Sequence, residues 1–240
     1  MLETSVIVRT KNEEKYIKNV LEILRNQTYQ NFEIIIVDDN STDKTIEIVK
    51  KYNTKIVEIL LGKFSHPYSC NLGAKEAKGK YLVFLNGHSI PISKKWLERG
   101  VKNFKKEKIA GIYSLNLAHK KSTLIDKFIF NFSGYTIGLF KFKSHKSSLG
   151  LLQTTSAIIR KDLWQKHCFQ ENVNQGMGGE DREWALYFMK RGYKIIHDPK
   201  FKVRHSHHLK IKDFFWQLKN WYRMANKNLK NIPEIQRKNF

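Results

Sequence analysis

Cysteine is scarce in this 240-residue chain: it has only Cys70 and Cys168, far apart and in no CxxC spacing. That excludes a zinc ribbon or disulfide framework and fits a reducing cytoplasm. No run of about 18 apolar residues is present, so no transmembrane helix is expected. The N-terminus lacks a charged-then-apolar leader pattern, and the expectation is a soluble or peripheral protein. Glycine-rich phosphate loops are missing too. No GxGxxG follows the first strand and no GxxxxGK[ST] occurs, which removes the main support for dinucleotide or P-loop binding. There is no internal repeat and no low-complexity linker. Acidic side chains are few, 22 against 44 Lys and Arg, for a net charge of +22. Such a balance implies a polyanionic neighbour: nucleic acid, an anionic bilayer surface, or phosphorylated small molecules.

What is present has a clear rhythm. "TSVIVRT" (4–10) is a β-branched run, followed by Tyr16, Ile17, Val20, Leu21 and Leu24 at helical spacing. "FEIIIVDDNSTD" (32–43) reads as a strand buried on both faces, with Ser41 or Thr42 placed to cap the helix "DKTIEIVKKY". "KIVEIL", "KYLVFLN" and "IAGIYSLNL" add strands, with helices at "SCNLGAKEAKG" and "KKWLERGVKNFKKE" between them. Farther on, "TTSAIIRKDLW" gives a strand, "EDREWALYFMKRGY" a helix, and "KIIHDPKFKVRHSHH" a strand pair. Alternation of this kind predicts an α/β domain with a mainly parallel central sheet, flanked by helices. We read a catalytic domain over residues 1–209 and a basic, aromatic helical tail over 210–240.

In parallel sheets ligands sit beyond the carboxyl ends of the strands. Arg9, Thr10, Asp38, Asp39, Asn86 and His88 all fall at such ends. Arg9 can pair with phosphate, and Asp39 can accept hydrogen bonds from a base or ribose, although the DDNS stretch is equally a strand-to-helix turn. In "GGEDREW", Glu180 and Asp181 follow a glycine pair at a helix start. They suit a general base and an acceptor-orienting group, and they also suit a first-turn acidic cap. "RHSHH" places His205 and His207 on one face of a strand, spaced to share a metal or bracket a phosphate. The tail carries Phe214, Phe215, Trp216, Trp221 and Tyr222 among lysines, the ingredients of an interfacial helix on an anionic membrane. Nucleic acid is the weaker partner reading.

The ordered set "SVIVRTKNEEKYIKNVLEILRNQTYQNFEIIIVDDNSTDKT", "CNLGAKEAKGKYLVFLN", "SAIIRKDLW" and "GGEDREWALYFMKRGYKIIHDP" resembles family 2 glycosyltransferases, which have the GT-A fold. It covers roughly residues 4–208. "FSHPYSCNLGA" with "VRHSHH" is most similar to the rhamnosyltransferase-like branch that builds bacterial surface polysaccharides. The resemblance implies an inverting transfer from a nucleotide-diphosphate sugar to a glycan or lipid-linked acceptor in capsule or lipopolysaccharide synthesis. It implies nucleotide contacts at Arg9, Thr10, Asp39 and Asn71, a general base at Asp181, and an acceptor contact at Glu180. A divalent cation, Mn²⁺ or Mg²⁺, is implied at Asn86 and His88, with His205 and His207 beside it.

Three departures stand out. Asn86-Gly87-His88 replaces Asp-x-Asp, and Cys70-Asn71 replaces the usual Arg-Asn. The processive-synthase pattern Gln-x-x-Arg-Trp is absent, since Asn220 and Trp221 follow Gln217. The rival readings are a nucleotidyltransferase, which would want a Gly-rich basic loop after the first strand, and a non-catalytic module for polyanionic glycan or nucleic acid. The expected location is cytoplasmic, peripheral on the inner face of the cell membrane.

Overall fold

In the computed structural model, the described residues are 2–105, 108–133, 152–171, 179–207, 215–216 and 219. Eight strands form one sheet in the order β3-β2-β1-β4-β7-β6-β8-β5. They are β1 (Thr4–Thr10), β2 (Phe32–Asp38), β3 (Lys55–Glu58), β4 (Tyr81–Asn86), β5 (Ile90–Pro91), β6 (Ile109–Leu117), β7 (Ser156–Arg160) and β8 (Lys194–Arg204). β1, β2, β3 and β4 pair in parallel. β7 is inserted antiparallel between β4 and β6, and β8 returns parallel to β6. The sheet is mixed and mostly parallel.

Alternation along each strand fills two cores. On one face Ile7, Ile35, Val37, Phe84 and Ile159 pack with Trp184 and Phe188 of helix α7 (Glu180–Met189). Helix α3 (His66–Glu76) covers the same face through Cys70 and Ala74. On the other face Val6, Val8, Ile36, Val83 and Ile158 meet Leu21 and Leu24 of α1 (Ile17–Arg25). Trp96 and Leu97 of α4 (Trp96–Lys102) complete that layer, and Trp96 stacks on Phe201 of β8 at 4.7 Å. Among the described residues, shorter helices include α2 (Thr45–Val49), α5 (Leu124–Asp126), which continues as a wider turn over Lys127–Ser133, and α6 (Lys161–Lys166).

Several local expectations change. Ser41 does not cap α2. Its hydroxyl donates to Asp38 Oδ1 at 2.6 Å, and Asp43 Oδ1 accepts from Thr45 N instead. Asp38 draws Ser41 back because it lies buried at the strand end and needs donors. The strand pair read over 194–208 is one strand, β8, with an irregularity opposite Ser114 and Leu115 of β6. His205 and His207 lie just past its end. α3 begins three residues earlier than its sequence pattern suggests, because Ser65 Oγ accepts from Tyr68 N and Pro67 stands in the first turn. Most of the 210–240 tail lies outside the described residues; Phe215 and Trp216 are helical and exposed.

Candidate active site

Parallel register brings the polar strand ends together. Arg9 is opposite both Val37 and Asn86, and Thr10 is opposite Asp38. The connections leaving β1 and β2 then bind each other. Asn12 N donates to Ser41 Oγ at 2.9 Å, Thr42 N to Asn12 Oδ1 at 2.8 Å, and Glu13 N to Thr45 Oγ1 at 2.7 Å. Asn12 and Asn40 sit at φ 54° and 52°, a left-handed conformation that asparagine tolerates better than most residues. Thr10 Oγ1 donates to Asp38 Oδ1 at 2.8 Å. Asp39, almost fully buried, receives Lys11 Nζ at 2.7 Å. Asp38 is therefore the scaffold carboxylate, while Asp39 faces a largely exposed lysine.

Arg9 is buried at the floor. Its Nη2 donates to Asn86 Oδ1 at 2.6 Å and to the Thr154 carbonyl at 3.1 Å. Its Nε and Nη1 are also buried, and neither has a partner among the described residues. Donors of that kind are costly to leave unmade and suit an anion. Asn71 is different. Its Nδ2 donates to Phe169 O at 2.8 Å, while its Oδ1 accepts from Trp164 Nε1 at 3.0 Å and Phe169 N at 3.2 Å. The amide expected to meet a nucleotide is spent on joining α3 to the segment after β7.

The acidic pair occupies the first turn of α7. Gly179 precedes it at φ 127°, which only glycine adopts without strain. Asp181 Oδ2 accepts from Thr154 N at 3.2 Å and Oδ1 from Arg182 N at 2.8 Å. Loss of hydration and the neighbouring Glu180 charge push the Asp181 carboxyl up to about 7, against the pull of those amides and of Arg9. A carboxyl titrating there is suited to take a proton near neutral pH. Glu180 is buried, and its Oε2 has no partner among the described residues. Thr154 is the joint that sequence reading missed: its carbonyl holds Arg9 while its amide holds Asp181. A threonine ahead of an apolar strand carries no mark of that role.

The third group is imidazole. His88, His205 and His207 offer ligand nitrogens within 4.8 Å of one another. His205 is 3% exposed, with its ring stacked on His88 at 4.7 Å. Burial, then the nearby histidines, hold it well below the usual imidazole range, so it is neutral at physiological pH. Glu13 Oε1 lies 2.5 Å from His88 Nδ1, and Ser89 Oγ lies 3.0 Å from His205 Nδ1. Gly87 is needed here because a Cβ would come within 2.8 Å of Glu13 Cγ and 3.2 Å of the Arg9 carbonyl. Glu13 and Ser89 were invisible in the sequence as site residues, since one looks like helix-start charge and the other like turn polarity. The imidazole set fits a divalent cation: buried His88 Nε2 has no partner among the described residues, and neutral imidazole nitrogens are good ligands.

A sheet of this order, with a carboxylate, an arginine and a ligand cluster across its strand ends, has the GT-A architecture. The solved structures agree on the fold. A mannosyltransferase from Pyrobaculum calidifontis, in complex with GDP-Man and Mn²⁺, superposes with TM-score 0.66 at 17% identity, covering 91% of this chain and 60% of that one. S. aureus TarS residues 1–349 in complex with UDP gives TM-score 0.67 at 22% identity, covering 89% and 62%. Residues 5–166 match Glycosyl transferase family 2, and the chain belongs to that family.

Among curated relatives, the O-antigen chain rhamnosyltransferase WbaN of Salmonella anatum is 28% identical over 195 residues, 76% of this chain and 59% of that protein. The dolichyl N-acetyl-alpha-D-glucosaminyl phosphate 3-beta-D-2,3-diacetamido-2,3-dideoxy-beta-D-glucuronosyltransferase of Methanococcus voltae is 28% identical over 232 residues, 89% of this chain and 70% of that protein. The chain thus spans about 60–70% of the length of these two relatives.

Proposed function

We propose that the chain is an inverting glycosyltransferase moving one sugar from a nucleotide-diphosphate sugar to a hydroxyl of a glycan or lipid-linked acceptor of a bacterial surface polysaccharide. The observation that carries this reading is the Thr154 joint, which sets a carboxyl titrating at about 7 against a buried arginine with two unused donors. Asp181 takes the acceptor hydroxyl proton as that oxygen attacks the anomeric carbon from the face opposite the diphosphate. The bond from carbon to diphosphate oxygen breaks, and its electron pair leaves with the nucleotide. Arg9 offers Nε and Nη1 to the departing anion, and Asp39 accepts from the nucleoside once Lys11 swings aside. Glu180 orients the acceptor. His88, His205 and His207 would hold a divalent cation, which when bound neutralises diphosphate charge.

A lipid-linked acceptor would be met at the inner face of the cell membrane, and the basic, aromatic composition of residues 210–240 suits anionic lipid there. Among the described residues no helix is long and apolar enough to cross a membrane. The test is transfer and hydrolysis with a panel of nucleotide sugars. Turnover of one donor that Asp181→Asn abolishes, with nucleotide binding kept, supports the reading. A chain that binds none and turns over none sinks it.

A further inference from the structure

The strand-end ligand set has an unusual composition for a cation that must meet a diphosphate. Asn86 Oδ1 is engaged by the Arg9 guanidinium, from which it accepts at 2.6 Å. Among the described residues the cluster able to hold a metal contains three histidines and no carboxylate. The nearby carboxylate, Glu13, is turned to the back of a ligand ring: it engages His88 Nδ1, leaving Nε2 to face the cluster. Ser89 does the same for His205 through Nδ1, and His205 Nε2 then lies 2.9 Å from His207 Nε2. Two nitrogens on one ion, each at a bond length of about 2.1 Å, stand about 3.0 Å apart at a right angle and about 3.4 Å apart at the tetrahedral angle, so a shift of a few tenths of an ångström turns this contact into a ligand pair. Phe130 approaches both rings, at 5.7 Å from His205 and 6.4 Å from His207, and gives the cluster an apolar wall.

We propose that His88, His205 and His207 form an all-imidazole site that selects a late first-row cation of the Zn²⁺ or Co²⁺ class and rejects Mg²⁺, with Glu13 and Ser89 as the positioning residues. The inference rests on the cation-binding reading of this cluster and sharpens it. Mg²⁺ demands oxygen ligands in a near-ideal octahedron and parts reluctantly with its water. Imidazole suits softer ions, and affinity rises along the series from Mn²⁺ through Co²⁺. A carboxylate or hydroxyl behind each ring fixes the tautomer and raises the basicity of the ligating nitrogen.

The experiment uses the full chain stripped of metal and titrated with each metal alone, without nucleotide. Calorimetry with Zn²⁺, Mn²⁺ and Mg²⁺ is paired with the visible ligand-field bands of Co²⁺. We expect one Zn²⁺ or Co²⁺ per chain, weaker Mn²⁺, and no displacement of Co²⁺ by millimolar Mg²⁺. His205→Ala should abolish the Co²⁺ bands. Glu13→Ala should weaken Zn²⁺ binding about 10–100-fold, and Glu13→Gln, which keeps an acceptor, should restore most of it. Circular dichroism confirms that each variant is folded. If His205→Ala misfolds, the Glu13 pair carries the test. Equal binding of Mg²⁺ and Zn²⁺, or Zn²⁺ affinity indifferent to Glu13→Ala, overturns the inference. Selective Zn²⁺ binding upholds it even if no nucleotide sugar is turned over. Donor turnover by a chain that binds no Zn²⁺ overturns it and leaves the transferase reading standing.

Discussion

Asp181, the base proposed above, carries a cost to the fold. Its carboxyl is raised from the ordinary 3.8 to about 7, so between those values the native state binds a proton that the unfolded chain has released. Stability therefore falls as pH rises through that window, and the full penalty is present above pH 7. Asp181→Asn removes the ionisation. We expect it to raise stability at pH 8 by about 1–2 kcal/mol in urea denaturation while lowering kcat by about 10²–10⁴. In the parent protein kcat should climb with pH and level off above about 7. A pH-independent rate, or a variant as active as the parent, would remove Asp181 from the role of base. Asn71 is the converse case. The family resemblance implies a nucleotide contact at Asn71, and in the structure its amide is hydrogen-bonded to Phe169 and Trp164. Its three bonds to Phe169 and Trp164 make Asn71→Ala a stability variant, costing about 2–3 kcal/mol by leaving buried donors unmade. In nucleotide titrations of the folded variant, the dissociation constant should be unchanged.

The elements were largely legible because period and burial agree. β1 alternates Val6 and Val8 to one core with Ile7 to the other, and β6 covers the same nine residues that its apolar run marks out. What could not be read was where pairing reverses. β7 has the same Ile-rich pattern as a parallel strand, yet it runs antiparallel between β4 and β6, since periodicity encodes which face is buried and not direction. Polar connections were hidden for a related reason: Glu13, Ser89 and Thr154 act across 75, 116 and 27 residues of sequence. The packing of α3 on the sheet yields a sharp prediction. A Cβ at Gly73 would lie 2.4 Å from Ile7 Cγ2 and 2.9 Å from Val37 Cγ2, both in the closed core. Gly73→Ala gains helix propensity but forces α3 away from β1, and overpacking of this kind costs about 1–3 kcal/mol. Chemical denaturation should show the loss. A neutral or stabilising outcome would mean that α3 rests on the sheet less tightly than these distances require.

At the scale of the whole molecule, the net charge of +22 has to be reconciled with a site whose own acids and bases are few and mostly buried. Among the described residues Arg9 is the only buried lysine or arginine, so the excess charge there acts at long range on surfaces and polyanions, not on the transferred sugar. The segment 210–240 holds eight of the 44 basic residues together with five of the aromatic side chains noted above, so most of the charge stays on the rest of the chain. Two contributions to membrane binding should therefore separate. Coulombic attraction to anionic lipid is screened by salt over about 8–10 Å at physiological ionic strength, whereas aromatic burial in the interface is not. In flotation with vesicles containing anionic lipid, the full chain should bind at 0.1 M salt and retain part of that binding at 0.5 M. A chain ending at residue 209 should still bind at low salt but float free at 0.5 M, and neither form should bind neutral vesicles strongly. If truncation left the high-salt binding intact, the tail would not be the interfacial element, and the exposed apolar residues Leu60, Leu61 and Phe64 between β3 and α3 would be the next segment to replace with polar ones. If neither chain bound anionic vesicles at any salt, the inner-membrane placement would fall and the basic surface would have to face a soluble polyanion instead.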